Sequence, residues 1–163
     1  MIEIRAARDE DYATIVPLWH RGWHDAHADL VPAELLAYRT LGHFALWLEQ
    51  ASDEFYVAAD HGLLGLISLK DAEVVKLYVS ENARGTGVAR SLLSFAEQLL
   101  LKRGVRQAEL FCTAGNIRAQ RFYEREGWSL SRSFEDALWL PKDVVGRFTV
   151  QTHCYRKTLK SSG

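Results

Sequence analysis

Residues 73 to 113 constrain the fold more than any other stretch of the chain. "EVVKLYV" (73–79) is almost wholly apolar or β-branched, and "SENARGTG" follows as a short polar loop. Val88, Leu92, Leu93, Ala96, Leu99 and Leu100 then recur at helical spacing, Gly104 suits the helix end, and "VRQAELFCT" (105–113) is apolar again. Strand, helix and strand in that order predict a right-handed parallel crossover, with the first strand covered on both faces. Upstream, "EFYVAAD" and "LLGLISLK" flank Asp60-His61-Gly62, which has turn chemistry and predicts a hairpin. A hairpin cannot be parallel, so the sheet must be mixed.

The remaining segments fill in an order β-α-α-β-β-β-α-β-α-β-β. "IEIRAA" alternates as a first strand, and Asp9 is placed to cap a helix through Tyr12, Ile15 and Trp19, with a kink at Pro17. Pro32 opens a second helical region that breaks near Gly42. Asn116 starts a short helix that ends at Gly127, "WSLSRSF" alternates, and "RFTVQTHCYRKTL" is a long last strand. The expected class is α/β (α+β): a mixed, mostly antiparallel sheet with one parallel β-α-β pair and helices on both faces. A chain of 163 residues suits one domain, expected over 1–159 with a flexible tail at 160–163.

Ligands of such sheets sit beyond the carboxyl ends of the parallel strands, which here means residues 80 to 89. A helix N-terminus offers unpaired N–H groups and a partial positive charge. Gly85 and Gly87 let those amides face inward, and Arg84 adds a full charge, so the natural guest is a phosphate. GxxxxGK[ST] is absent, which excludes the nucleotide-triphosphate loop. GxGxxG fails at Arg90, and Glu109 falls mid-strand rather than at a strand end, which counts against a dinucleotide. Coenzyme A remains, beside the plainer reading of glycines that serve the turn alone. A net charge of −1 argues against nucleic acid. No apolar run approaches a bilayer span and "MIEIRAARDE" has no signal-peptide core, so the expected location is the cytoplasm, with no membrane partner.

"KLYVSENARGTGVARSLL" followed by "NIRAQRFYEREGW" resembles the GNAT acyltransferase superfamily. Arg84, Gly87 and Ala89 match its RxxGxG/A loop, and Asn116, Ala119, Tyr123, Gly127 and Trp128 match its N-x-x-A-x-x-x-Y-x-x-x-G-F/W segment. The resemblance implies an N-acetyltransferase that uses acetyl-CoA as co-substrate and no metal. It implies that backbone near Leu77, Tyr78 and Val79 holds the pantetheine arm between two splayed strands. Amides of Arg84, Gly85, Thr86, Gly87, Val88, Ala89 and Arg90 would take the pyrophosphate, while Asn116 and Phe122 contact the cofactor. Tyr123 would stabilise or protonate the leaving thiolate. Trp19, Trp23 and His24 would shape the acceptor pocket, although packing on the first helix accounts for them equally well. A non-catalytic module that senses acyl-CoA is the alternative.

The acceptor is a small-molecule or peptide amine of unspecified kind, and no position matches a family-wide base. Glu73 and Glu109, on the two central strands, are candidates acting through water; His61 is a poorer one. His20, His24 and His27 would share a face and could bind zinc if the first helix ran straight, but Gly22 and Pro17 weaken that, so no metal is expected. Cys112 and Cys154 read as buried thiols without nucleophile-like partners. The apolar insertion at 135–146, with Trp139, either caps the pocket or forms a homodimer contact.

Overall fold

The structure, a computed structural model, describes residues 1–161. Of the tail expected over 160–163, residues 162 and 163 lie outside the described residues. Seven strands form one sheet: β1 (Glu3–Ala6), β2 (Glu54–Ala59), β3 (Leu63–Lys70), β4 (Glu73–Val79), β5 (Gln107–Thr113), β6 (Ser129–Ala137) and β7 (Thr149–Thr158). Their spatial order is β1-β2-β3-β4-β5-β7-β6, antiparallel throughout except for β4 against β5. The mixed, mostly antiparallel sheet with one crossover is therefore present as the sequence predicts.

Helices cover both faces. α1 (Tyr12–His27) and α2 (Leu41–Gln50) bury Ile15, Trp19, Trp23 and Phe44 against Val57 and Leu66. α3 (Val88–Lys102) buries Leu92, Leu93, Ala96 and Leu100 against Ala58, Ile67 and Leu110, with α4 (Ile117–Arg125) packed beside them. Val57 and Ala58, like Leu66 and Ile67, go to opposite clusters because successive strand residues point to opposite faces. Two cores thus sandwich the sheet.

Local expectations fail at three places: the start of α1, the start of α2 and the far end of β6. Asp9 does not cap α1: residues Asp9–Asp11 form a 3-10 turn, and the Asp11 carboxylate accepts the Arg8 amide at 2.7 Å and the Arg5 guanidinium at 2.6 Å. α1 runs through Pro17 and Gly22 without interruption. The second helical region breaks at Arg39–Thr40 rather than Gly42, since the Thr40 hydroxyl accepts the His43 amide and starts α2. The segment read as an insertion begins as strand: Glu135, Asp136 and Ala137 extend β6, and only the residues after it form a loop. There Trp139 stacks on Trp47 at 5.0 Å and donates to Gln50, within the same chain.

β4 is covered on both faces, by α3 on one side and α1 on the other, although most of its residues are only partly buried. It carries a bulge. Ser68 pairs with Lys76 and Leu69 with Val74, which leaves Val75 unmatched. The extra residue bends the strand and flips its pleat, so Val74 meets the α3 core while Lys76 lies over Trp19 on the α1 side. Pairing between β4 and β5 stops after Glu73↔Glu109 and Val74↔Leu110. Beyond that point the two strands diverge.

Candidate active site

A cleft of about 550 Å³ opens where β4 and β5 part. Val75 to Val79 form one wall, Phe111 and Cys112 the other, the loop 83–90 closes one end, and α4 contributes Asn116, Phe122 and Tyr123. The β4 edge facing the gap has no strand partner after Val74, so its main-chain donors and acceptors are free for an extended ligand.

The loop holds the anion-binding geometry. Gly85 (φ 77°) and Gly87 (φ 89°) both adopt the left-handed conformation that side chains rarely take, and Gly87 caps α3. The chain leaves open space where a Cβ would stand on either glycine. Not every amide from 84 to 90 is available, however. The Arg84 amide donates to Glu81 and the Thr86 amide to Ala83, so they hold the loop itself. Gly85 and the first turn of α3 carry the amides left to face an anion; the helix ladder resumes with Ser91 donating to Gly87. The Arg84 guanidinium is engaged by Asp25 at 2.9 Å, and Arg21 reaches Glu81 at 2.7 Å. Two ion pairs thus tie α1 to the loop.

Asn116 serves α4 before it serves any ligand, since its side chain accepts the Ala119 amide at 3.3 Å. One turn on, Phe122 and Tyr123 reach the cleft. Burial, then the neighbouring Cys112 and Tyr78 side chains, push the Tyr123 phenol well above its ordinary range. Tyr123 therefore stays protonated and keeps a hydrogen to donate. Its hydroxyl has no hydrogen-bond partner among the described residues. Cys112 also lines the cleft, but burial raises its thiol to about 12, so it is no nucleophile.

The three acceptor-side candidates lie behind the cleft wall rather than on it. Trp19 and Trp23 are core residues, 1% and 5% exposed, and His24 is turned to the Arg39 carbonyl at 2.7 Å. None of the three lines the cleft. Gly22, Ala26 and His27 of the same helix do. Gly22 is required there: a Cβ on it would stand 2.7 Å from the Tyr78 ring. His27 is held neutral, its pKa lowered to about 4 mainly by burial and further by Arg39. The His20 and His24 rings lie 4.5 Å apart and tilted, yet no group of three metal-ligating side chains occurs among the described residues.

Glu73 and Glu109 stand side by side on β4 and β5, just below the point of divergence. Neither carboxylate lines the cleft, although Glu73 lies only two residues before Val75. Burial first, and Glu109 second, raise Glu73 to about 7. Glu109 is half-buried and pairs with Arg156 at 3.6 Å. His61 sits at the hairpin tip, remote from all of this.

Sequence reading missed Arg118 and Arg125, which face the cleft from α4 together with Phe122. Their spacing of four and three residues is the signal that places them on one helical face. No helix of the described residues is long and apolar enough to cross a membrane.

Residues 12–128 match the family model described as the acetyltransferase (GNAT) family. The chain is 36% identical over 84 residues to the uncharacterized protein YxbD of Bacillus subtilis (strain 168), across 48% of this chain and 51% of that protein. It therefore spans about half the length of that relative. It is 24% identical over 143 residues to the spermidine N(1)-acetyltransferase of Thermoplasma acidophilum, across 79% and 89% of the two chains. Among solved structures, a GCN5-related N-acetyltransferase from Rhodopseudomonas palustris superposes with a TM-score of 0.73 at 20% identity, covering 96% of this chain and 95% of that one. The PaiA N-acetyltransferase of Thermoplasma acidophilum, solved with coenzyme A, gives 0.66 at 20% identity, covering 93% and 98%. The structural likeness establishes a shared fold.

Proposed function

The chain belongs to the GNAT acetyltransferase family, and from that premise we propose that it transfers an acetyl group from acetyl-CoA to a primary amine by direct attack. The observation that carries this reading is the cleft itself. An unpaired strand edge runs along it, and it ends at free amides on the N-terminus of α3. Acetyl-CoA supplies the activated thioester. The α3 amides and Gly85 hold its pyrophosphate, with Arg90, Arg118 and Arg125 nearby for further phosphate charge. Main chain of Leu77, Tyr78 and Val79 pairs the pantetheine arm and donates to the thioester carbonyl, stabilising charge that develops on it. Asn116 and Phe122 flank the arm.

Tyr123 donates a hydrogen bond to the sulfur as the thiolate leaves. Even an unperturbed phenol, at about 10, lies above a thiol at about 8.5, so full proton transfer is uphill by roughly 2 kcal/mol. The raised Tyr123 makes it steeper. Stabilisation by donation is the role the site supports. A lysine-like amine at about 10.4 costs roughly 4 to 5 kcal/mol to deprotonate at pH 7. Glu73, raised to about 7 by burial and then by Glu109, is tuned to accept that proton through water.

Acetyl-CoA at about 100 times its Kd should stabilise the protein by about 2.7 kcal/mol, which for this size raises Tm by roughly 5 to 10 °C. Gly87→Val should abolish that shift, and thiol release with a panel of amines should follow it. An unchanged wild-type Tm at millimolar acetyl-CoA would overturn the reading. Binding without thiol release from any amine would make the chain a sensor rather than an enzyme.

A further inference from the structure

Arg39, in the link before α2, is 1% exposed, yet no carboxylate of the described residues pairs with it. Its guanidinium lies among three indoles, 5.1 Å from Trp23, 5.0 Å from Trp47 and 5.7 Å from Trp139. Nη1 donates to the Tyr38 carbonyl at 3.0 Å. Nε and Nη2 are buried with no hydrogen-bond partner among the described residues. Those two are the parallel donors on one edge of the guanidinium, the pair that a carboxylate takes side-on. Aromatic faces stabilise the plane of the cation, but they cannot satisfy donors that lie in that plane. An unpaired buried charge costs several kcal/mol, so these two donors call for an acceptor that the described residues do not supply. The neighbouring cation Lys76 makes the contrast: its side chain is 9% exposed and has Asp53 at 2.9 Å.

The cage is one ring behind the cleft wall. Trp23 contacts Arg39 on one side and His27 on the other, at 5.4 Å, and His27 lines the cleft. Tyr78, also on the wall, feels the charge of Arg39 as well. Trp139 closes the cage from the loop after β6, held by stacking on Trp47 and one bond to Gln50, so a carboxylate must displace a ring to reach the two donors.

We propose that Arg39 is the anchor for a carboxylate on the acceptor, so that the substrate is an amine that also carries a carboxylate. This rests on the acetyl-transfer reading above. A purely cationic polyamine is the wrong partner for this cage.

Thiol release is measured with ω-amino acids from β-alanine to 6-aminohexanoate, with α-amino acids, and with the corresponding amines lacking the carboxylate. At least one carboxylate member should exceed its matched amine in kcat/KM by about 10- to 100-fold. R39M should erase that preference, and R39K should retain only part of it, because a lysine keeps the charge but not the fork. The acetyl-CoA thermal shift should persist in both variants. Tryptophan emission, titrated with the same carboxylates and with 4-aminobutyrate as reference probe, reports the cage without turnover and needs only wild type. Equal kcat/KM for each matched wild-type pair, with no emission change, overturns the Arg39 inference and leaves acetyl transfer standing. A carboxylate-dependent emission change with no thiol release from any amine does the reverse.

Discussion

Acidification should charge His27, and the cost can be worked from its surroundings. Its pKa falls from an ordinary 6.5 to about 4, chiefly through burial. Between those values the unfolded chain binds the proton and the folded chain does not, so stability drops as pH falls, by 1.36 kcal/mol per unit. The full window is worth roughly 3 kcal/mol, or about 6 to 12 °C in Tm for a chain of this size. Glu73 acts in the opposite direction. Its folded pKa is raised to about 7, so the folded state binds more protons above 4.5 and gains stability as pH falls. The two slopes largely cancel in wild type, and a single curve would conceal both. The measurement is therefore a difference: urea unfolding of wild type and His27→Gln at pH 7, 6, 5 and 4. Asp11, lowered from an ordinary 3.8 to about 2, loses its stabilising ionisation between those values, at and below the acid end of this range, and is common to both proteins. Relative to wild type, the variant should gain roughly 3 kcal/mol on going from pH 7 to 4. A flat difference would mean that the imidazole charges in place, and the burial argument for the α1 wall would be refuted.

Tyr123→Phe should lower kcat by about 100-fold, the cost of one donor aimed at developing charge, and leave the acetyl-CoA Kd unchanged. Unaltered turnover would remove the residue from the chemistry. The wild-type kcat should rise with pH through about 7 as Glu73 ionises, and Glu73→Gln should lose that limb together with 100-fold or more of the rate. If the limb survives in the variant, the proton acceptor is another group.

Elements governed by near neighbours in the chain were legible from the sequence. The hairpin at Asp60–Gly62, the α3 periodicity, the glycine-shaped loop and the Asn116 cap each depend on residues a few positions apart, and each is where the spacing puts it. The break before α2 was misplaced because Gly42 is a louder signal than Thr40, whose cap depends on His43. Trp19 and Trp23 had two equal readings, acceptor pocket or packing on α1, and spacing along one helix could not choose between them; both are buried in the core. Which face meets β4 is chosen by Gly22, the position where a helix can lie against the Tyr78 ring.

By itself, then, the sequence determined the order of elements and the anion-binding turn, since propensity and capping act over a single helical turn. Tertiary structure alone decided the cleft, because it arises from a bulge at Val75 that ends the pairing of two strands. The same holds for Arg39. Its indoles come from three separate segments, and a charge becomes desolvated only when they close around it.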